Sequence, residues 1–155
     1  MERGQGFERF HRAEAPRLRL LVALMVDDQA LRDPILTGSW LIVRHRWPEL
    51  ARQPRPDLWL LTMTLRTLRH RGVPLMVAPV PQVETPLPGI DPAAVVDGLR
   101  ALDPPLRLAV VLRHLLGLNL DEVADVADLP AQLIGDQLSR GLRSLEDHLD
   151  ERATG

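Results

Sequence analysis

An all-α fold of two small helical domains joined by a proline-rich linker is what this sequence predicts, and three observations predict it. Apolar residues recur at three- and four-residue steps in both halves of the chain, the spacing of a helix face. The C-terminal half divides into three such segments at two short breaks, the second a very tight one. Between the halves, residues 72–92 crowd together Pro74, Pro79, Pro81, Pro86, Pro88 and Pro92. Proline lacks the N–H and clashes with the preceding turn, and the stretch does not alternate like a strand, so it reads as an extended linker. The expected boundaries are a helical domain over 1–71, the linker over 72–92 and a helix-turn-helix domain over 93–155.

In the first half, Phe7, Phe10, Leu18, Leu21, Val22 and Met25 share helical spacing. Pro16 interrupts it, so the expected helix runs from about Pro16 to Val26, where Asp27 and Asp28 break or cap it. Asp33-Pro34 has the form of an N-cap followed by a first-position proline. It opens a second helix to about Trp47, with Ile35, Trp40 and Val43 as buried positions and Pro48 as the stop. Gln53 to Pro56 forms a loop. The third helix, Asp57 to Arg71, aligns Leu58, Leu61, Leu65 and Leu68. Its last turn carries Arg66, Arg69, His70 and Arg71, which suit the helix C-terminal dipole and form a small basic patch.

In the second half, Leu106 to Leu116 is apolar around much of its circumference and stops at Gly117, a favoured helix terminator. Asn119 with Glu122 three residues on spells a capping box, and Val123, Val126 and Ala127 supply the buried side of a short helix. Asp128-Leu129-Pro130 turns the chain. Ile134, Leu138, Leu142, Leu145 and Leu149 then form one stripe on a longer helix. Spacing alone leaves a helix-turn-helix and an ordinary αα-hairpin both open. Gly135 and Gly141, inside the last helix, each cost roughly 1 kcal/mol of helix propensity relative to Ala.

Composition narrows the function classes. Hydrophobic residues at 45% and charged residues at 26% exclude a disordered chain. No apolar run approaches about 18 residues, so no spanning helix is expected, and Met1 to Arg12 has no apolar core of a secretory signal. The absence of cysteine excludes disulfides and thiolate sites and suits a cytoplasmic home. All 19 basic residues are Arg, which with abundant Ala, Leu and Pro reflects codon bias and so carries no weight as phosphate recognition. The net charge of −2 announces no global basic field. The halves differ: residues 1–98 hold 13 Arg against 11 acids, and residues 99–155 hold 6 against 10. The helix-turn-helix half is the acidic one.

The ordered motifs resemble those of extracytoplasmic-function (ECF) sigma factors of the sigma-70 type. Leu102-Asp103-Pro104, Leu112-Arg113-His114, Gly117-Leu118 and Asp121-Glu122-Val123-Ala124 follow the region 4 pattern, without a gap through Leu145. Ala23 to Trp47 aligns with region 2 through Leu24, Asp28, Asp33, Ile35, Trp40, Leu41, Arg46 and Trp47. Pro56, Trp59, Leu60, Met63 and Arg71 continue it. The resemblance implies a transcription initiation protein with RNA polymerase core and promoter DNA as partners, an anti-sigma factor or other regulatory protein besides, and no membrane. It places polymerase contacts at Asp33, Thr37, Trp40 and Arg44. It places DNA contacts at Arg66, Arg69 and Arg71 and at Gln132, Gln137, Arg140 and Arg143 on the last helix. The chain departs from the family where it matters. The polymerase-docking stretch reads Asp33, Pro34, Ile35, Leu36, Thr37, Gly38, with a proline that should kink or restart the helix. The family's Lys, Ser and Arg in the recognition helix are Gly135, Asp136 and Gln137. The alternative is a degenerate sigma-like protein that works as a protein-interaction module or regulator without reading promoters.

Nothing points to catalysis. The five histidines are scattered without metal-ligand spacing, and Asp121, Glu122, Asp125 and Asp128 are not spaced as a calcium loop. No phosphate-binding loop, dinucleotide turn or nucleophile elbow occurs. The chain is not expected to be an enzyme or to carry a metal or cofactor.

Overall fold

A computed structural model describes residues 2–72 and 92–154, and the linker expected over 72–92 lies outside them except for its two end residues. The fold is all-α, with no strand among the described residues. The chain divides into two compact units, Met1–Val73 and Pro74–Gly155. The helices are α1 (Glu2–Met25), α2 (Gln29–Leu50) and α3 (Pro56–His70) in the first unit. The second holds α4 (Pro92–Ala101), α5 (Pro104–Val110) with a π-helical turn (Val111–Leu115), α6 (Leu120–Ala127) and α7 (Ala131–Thr154).

In the first unit two proline rules are overruled. Helix α1 runs through Pro16 and begins fourteen residues earlier than expected, at Glu2. The aromatic side chains of its first half explain this. Phe10 lies 5.1 Å from Trp47 between ring centroids and Phe7 5.9 Å, and both lie 6.1–6.4 Å from Trp40. Four such pairs, at about 0.5–1.5 kcal/mol each beyond their burial, match the roughly 3 kcal/mol that a mid-helix proline costs. Pro16 itself points to solvent. Helix α2 likewise starts before Asp33-Pro34. Asp28 is its N-cap, accepting the Ala30 N–H at 2.9 Å, and Pro34 sits inside an uninterrupted helix rather than restarting it. Pro48 does not stop it either, because Trp47 and Leu50 on both sides of it are buried.

The core of this unit is Leu18, Leu21 and Val22 from α1, Ile35 and Val43 from α2, and Leu60, Leu61, Leu65 and Leu68 from α3. Trp40, expected in it, is only half-buried. Arg32 closes the end of α1 by donating from Nε to the Val26 carbonyl at 2.7 Å. The buried Thr64 hydroxyl donates to the Leu60 carbonyl at 2.8 Å, so its burial leaves no polar group unsatisfied.

In the second unit α7 packs on α4, α5 and α6. Helix α4, not read from the sequence, is tied to α5 by the buried Arg107, whose Nη2 donates to the carbonyls of Arg100 at 2.9 Å and Leu102 at 3.1 Å. The expected helix over Leu106 to Leu116 is split: after Val110 it widens into the π turn, and Gly117 ends it at φ +73°. Along α7, Ile134, Leu138, Leu145 and Leu149 are buried, but Leu142 is only half-buried while Gly141 beside it is buried. A Cβ at Gly141 would lie 2.8 Å from Val110 Cγ2 and 3.2 Å from the Leu106 carbonyl oxygen. This glycine therefore sets the close approach of α5 and α7. Gly135 has nothing within 4 Å of its would-be Cβ.

Candidate functional site

Three surfaces gather the candidate residues, two on the first unit and one on the second. On the first unit, Asp33, Thr37, Trp40 and Arg44 recur along α2 at four- and three-residue steps, so they share one helix face. All are exposed except the half-buried Trp40. Thr37, Trp40 and Arg44 line a hollow of about 400 Å³ between α1 and α2; Asp33 lies one turn before it and outside it. The α1 wall is Phe7, His11 and Arg19. The His11 ring packs edge-on to Trp40, 4.4 Å between centroids. Leu41, on the rim, is 61% exposed and Ile42 beside it 42%.

These α1 residues, Leu41 and Ile42 were missed by sequence reasoning. The signal for Phe7 was present in its helical spacing with Phe10 and Leu18, and Pro16 hid it. Leu41, a large apolar residue one turn from Thr37 on a polar face, was the other available sign.

At the end of α3, Arg66 and Arg71 are exposed and Arg69 is half-buried. Arg71 occupies the C-cap, its N–H closing onto carbonyls of the last turn. Arg66 and His70 thus stand one turn apart on the exposed side, with Arg71 next to them. At the opposite end of α3, Arg55 grips Asp57 with Nε to Oδ1 at 3.0 Å and Nη2 to Oδ2 at 2.9 Å. Partial burial works to raise the Asp57 carboxyl, but the Arg55 guanidinium together with the backbone N–H groups of Asp57 and Leu58 outweighs it and holds the group below its ordinary value. Glu14 goes the other way: burial raises it, Arg17 at 3.3 Å only partly opposes that, and Asp57 adds to the rise.

On the second unit, α6 and α7 form the helix-turn-helix. The capping box is complete, with Asn119 Oδ1 accepting from the Glu122 N–H at 2.8 Å and Glu122 Oε1 from the Asn119 N–H at 3.0 Å. Asp128 takes the left-handed conformation at φ 58°, which Asp tolerates better than most residues, and the Leu129 N–H returns to the Ala124 carbonyl at 3.0 Å. These local devices fix the angle at which α7 leaves the turn. Its outward face is Gln132, Asp136, Ser139 and Arg143, with Leu133 also 40% exposed. Gln137 and Arg140 are half-buried on the flanks. The acid Asp136 stands in the middle of the side chains expected to meet DNA.

Among the described residues no group of three or more His, Cys, Asp or Glu is placed to hold a metal ion, and no helix is long and apolar enough to cross a membrane.

The sequence matches no protein-family model, and no curated protein matches it. Solved structures do. The sigma factor RpoE, in complex with the anti-sigma factor NepR from Bartonella quintana, matches with a TM-score of 0.72 at 16% identity, over 93% of this chain and 96% of that one. CnrH, in complex with the cytosolic domain of CnrY, matches with a TM-score of 0.66 at 17% identity, over 94% and 88%. At such identities the likeness is one of fold. This chain shares its fold with the sigma factor RpoE and with CnrH, in keeping with the sigma-type fold its motifs led us to expect.

Proposed function

We propose that the chain is an ECF sigma-like transcription initiation protein that binds the RNA polymerase core through its first unit and contacts promoter DNA through its second. The observation that carries this reading is the α2 face, where exposed Asp33, Thr37 and Arg44 and half-buried Trp40 share one side of the helix within a sigma-type fold. The helix-turn-helix supports the second half of it: Gln132 and Arg143 lie outward on α7, with Gln137 and Arg140 flanking. Glutamine can pair with adenine, and each Arg needs only its charge to hold a phosphate. Arg66, Arg69 and Arg71 provide a second phosphate-holding cluster. On this reading the protein acts in the cytoplasm and uses no cofactor. A regulatory protein partner is in keeping with the complexes in which RpoE and CnrH were solved.

The test is a titration of labelled protein with bacterial RNA polymerase core, followed by fluorescence anisotropy at physiological salt. Saturable binding, weakened by Arg44→Glu, is the expected result; no binding at micromolar core overturns the reading.

Asp136 favours a second reading, a sigma-like interaction protein that no longer reads promoters. A carboxylate at the centre of the α7 face opposes phosphate approach. Replacing Gly135, Asp136 and Gln137 with Lys, Ser and Arg separates the two. A large gain in salt-sensitive DNA affinity would mean that the native surface is not made for DNA, and little change would support promoter contact.

A further inference from the structure

The hollow on the α2 face is one part of a longer groove. Three adjoining hollows share Phe7 as a common wall and draw their α1 lining from Gly4 through Arg19. At 1.5 Å per residue this is about 22 Å, four turns of a helix. The floor is apolar: Phe7, Trp40 and Trp47, none of them exposed. The rim is basic. Arg19 on α1 and Arg44 on α2 border the groove, and Arg12 stands beside it in a hollow that α1 alone lines, against a single carboxylate, Glu8. Among the described residues none of these three arginines has an ion pair or hydrogen bond, whereas Arg17, Arg46 and Arg55 of the same unit each face a carboxylate within 4 Å. Leu41 stands on the same rim, 61% exposed.

An apolar trough of helical length with unspent positive charge along both edges has one complementary shape and charge. We infer that this groove receives an acidic amphipathic helix of a partner protein, laid along the trough between α1 and α2. A large aliphatic or aromatic side chain of that helix enters the hollow over Phe7 and Trp40, against Leu41. Carboxylates one or two turns away meet Arg19 on one edge and Arg44 on the other. The inference rests on the reading of the α2 face as a docking surface, and it specifies the chemistry of what docks. Helix-in-groove recognition works through apolar anchors at i, i+3, i+4 and i+7, while the charged rim selects the partner and speeds its arrival.

The test uses the full chain and a synthetic, fluorescently labelled helical peptide of three heptads, with Leu and Phe on one face and Glu on the other. A twin carries Lys at every Glu position. Anisotropy should show the acidic peptide binding at least about tenfold more tightly than the basic twin, with affinity falling as salt is added. Arg19→Glu combined with Arg44→Glu should weaken it about tenfold, the combined loss of two rim-exposed charge contacts. Leu41→Asp, at an exposed site that folding does not need, should weaken it as well. Arg52→Glu, at an exposed site beyond α2 and outside the groove lining, should leave it unchanged. Circular dichroism confirms that each variant is folded.

Equal binding of the two peptides, or an undiminished affinity in the double charge reversal, overturns the proposal. So does a dimer in sedimentation that Leu41→Asp dissolves, since a second copy of the chain would then be the occupant. The polymerase titration gives an independent answer. A chain that binds core but not the acidic peptide keeps the docking function and loses this inference, and the opposite pattern keeps the groove's specificity and loses the polymerase.

Discussion

Two glycines on one helix should respond to the same substitution with opposite signs. Alanine in place of Gly135 gains about 1 kcal/mol of helix propensity, and its Cβ meets nothing within 4 Å. Gly135→Ala should therefore stabilise the second unit by nearly that amount. Alanine in place of Gly141 gains the same propensity, but its Cβ would sit 2.8 Å from Val110 Cγ2 and 3.2 Å from the Leu106 carbonyl oxygen. Neither neighbour yields easily. Valine is stiff at χ1 in a helix, and a backbone carbonyl moves only with its helix. Overpacking of this kind costs about 1–3 kcal/mol, so Gly141→Ala should be net destabilising by about 1 kcal/mol and the two variants should differ by about 2. In a unit of this size each kcal/mol shifts the Tm by roughly 4–8 °C. Thermal and urea unfolding followed by circular dichroism reads the difference. Tryptophan emission serves as a control, since Trp40, Trp47 and Trp59 all lie in the first unit. If Gly141→Ala stabilises as much as Gly135→Ala, the close α5–α7 contact assigned to Gly141 is wrong.

Pro16→Ala should stabilise the first unit by about 1–3 kcal/mol in urea unfolding, since it restores a donor at an exposed position of a continuous helix. Arg107→Ala removes two hydrogen bonds to the carbonyls that end α4 and leaves them without that donor; a loss of about 2–4 kcal/mol is expected in the same assay. Asp57→Asn should cost about 0.5–1 kcal/mol at neutral pH, the worth of a partly exposed pair. Because the Asp57 carboxyl is held below its ordinary 3.8, its contribution is fully present above that value. It is lost as pH falls through the folded-state value, so the mutant and parent curves should converge in acid. Glu14 has the opposite sign: its raised carboxyl favours the protonated form in the fold, and stability drains as pH rises above the ordinary 4.5. Glu14→Gln should therefore stabilise the protein at neutral pH and change little in acid.

What was legible in the sequence was local. The capping box of Asn119 and Glu122, the stop at Gly117 and the turn at Asp128 depend on residues a few positions apart, and each forms as its spacing predicts. What was not legible depended on distant partners. The start of α1 is set by Phe7 and Phe10 against Trp40 and Trp47, some thirty to forty residues away, and a rule about proline alone cannot see that offset. The α1 wall of the groove was hidden for the same reason. Helix α4 is short and holds Gly98, which reads as a weak helix residue until α7 is in place; a Cβ there would collide with Leu145 and crowd His148. The α2 face was readable because its four residues lie on one helix. The charge balance of the groove was not, because it draws on two.

The π turn at Val111–Leu115 divides one apolar run between two duties. Before it, Leu106 and Val110 address α7; after it, the widened turn addresses α6. Closing hydrogen bonds five residues back instead of four inserts extra chain without lengthening the helix in proportion, so the side chains beyond it are turned to a new phase. A periodic pattern followed through Val110 would therefore point to the wrong side by the time it reaches Leu116 and Leu118, both of which are buried. It also follows that this stretch tolerates a change of length poorly. Removing one residue between Val111 and Leu115 would return the helix to ordinary pitch and rotate Leu116, Gly117 and Leu118 together. The carbonyl of Leu118 would leave Arg113, which now donates to it at 3.2 Å, and α6 would begin from a different heading.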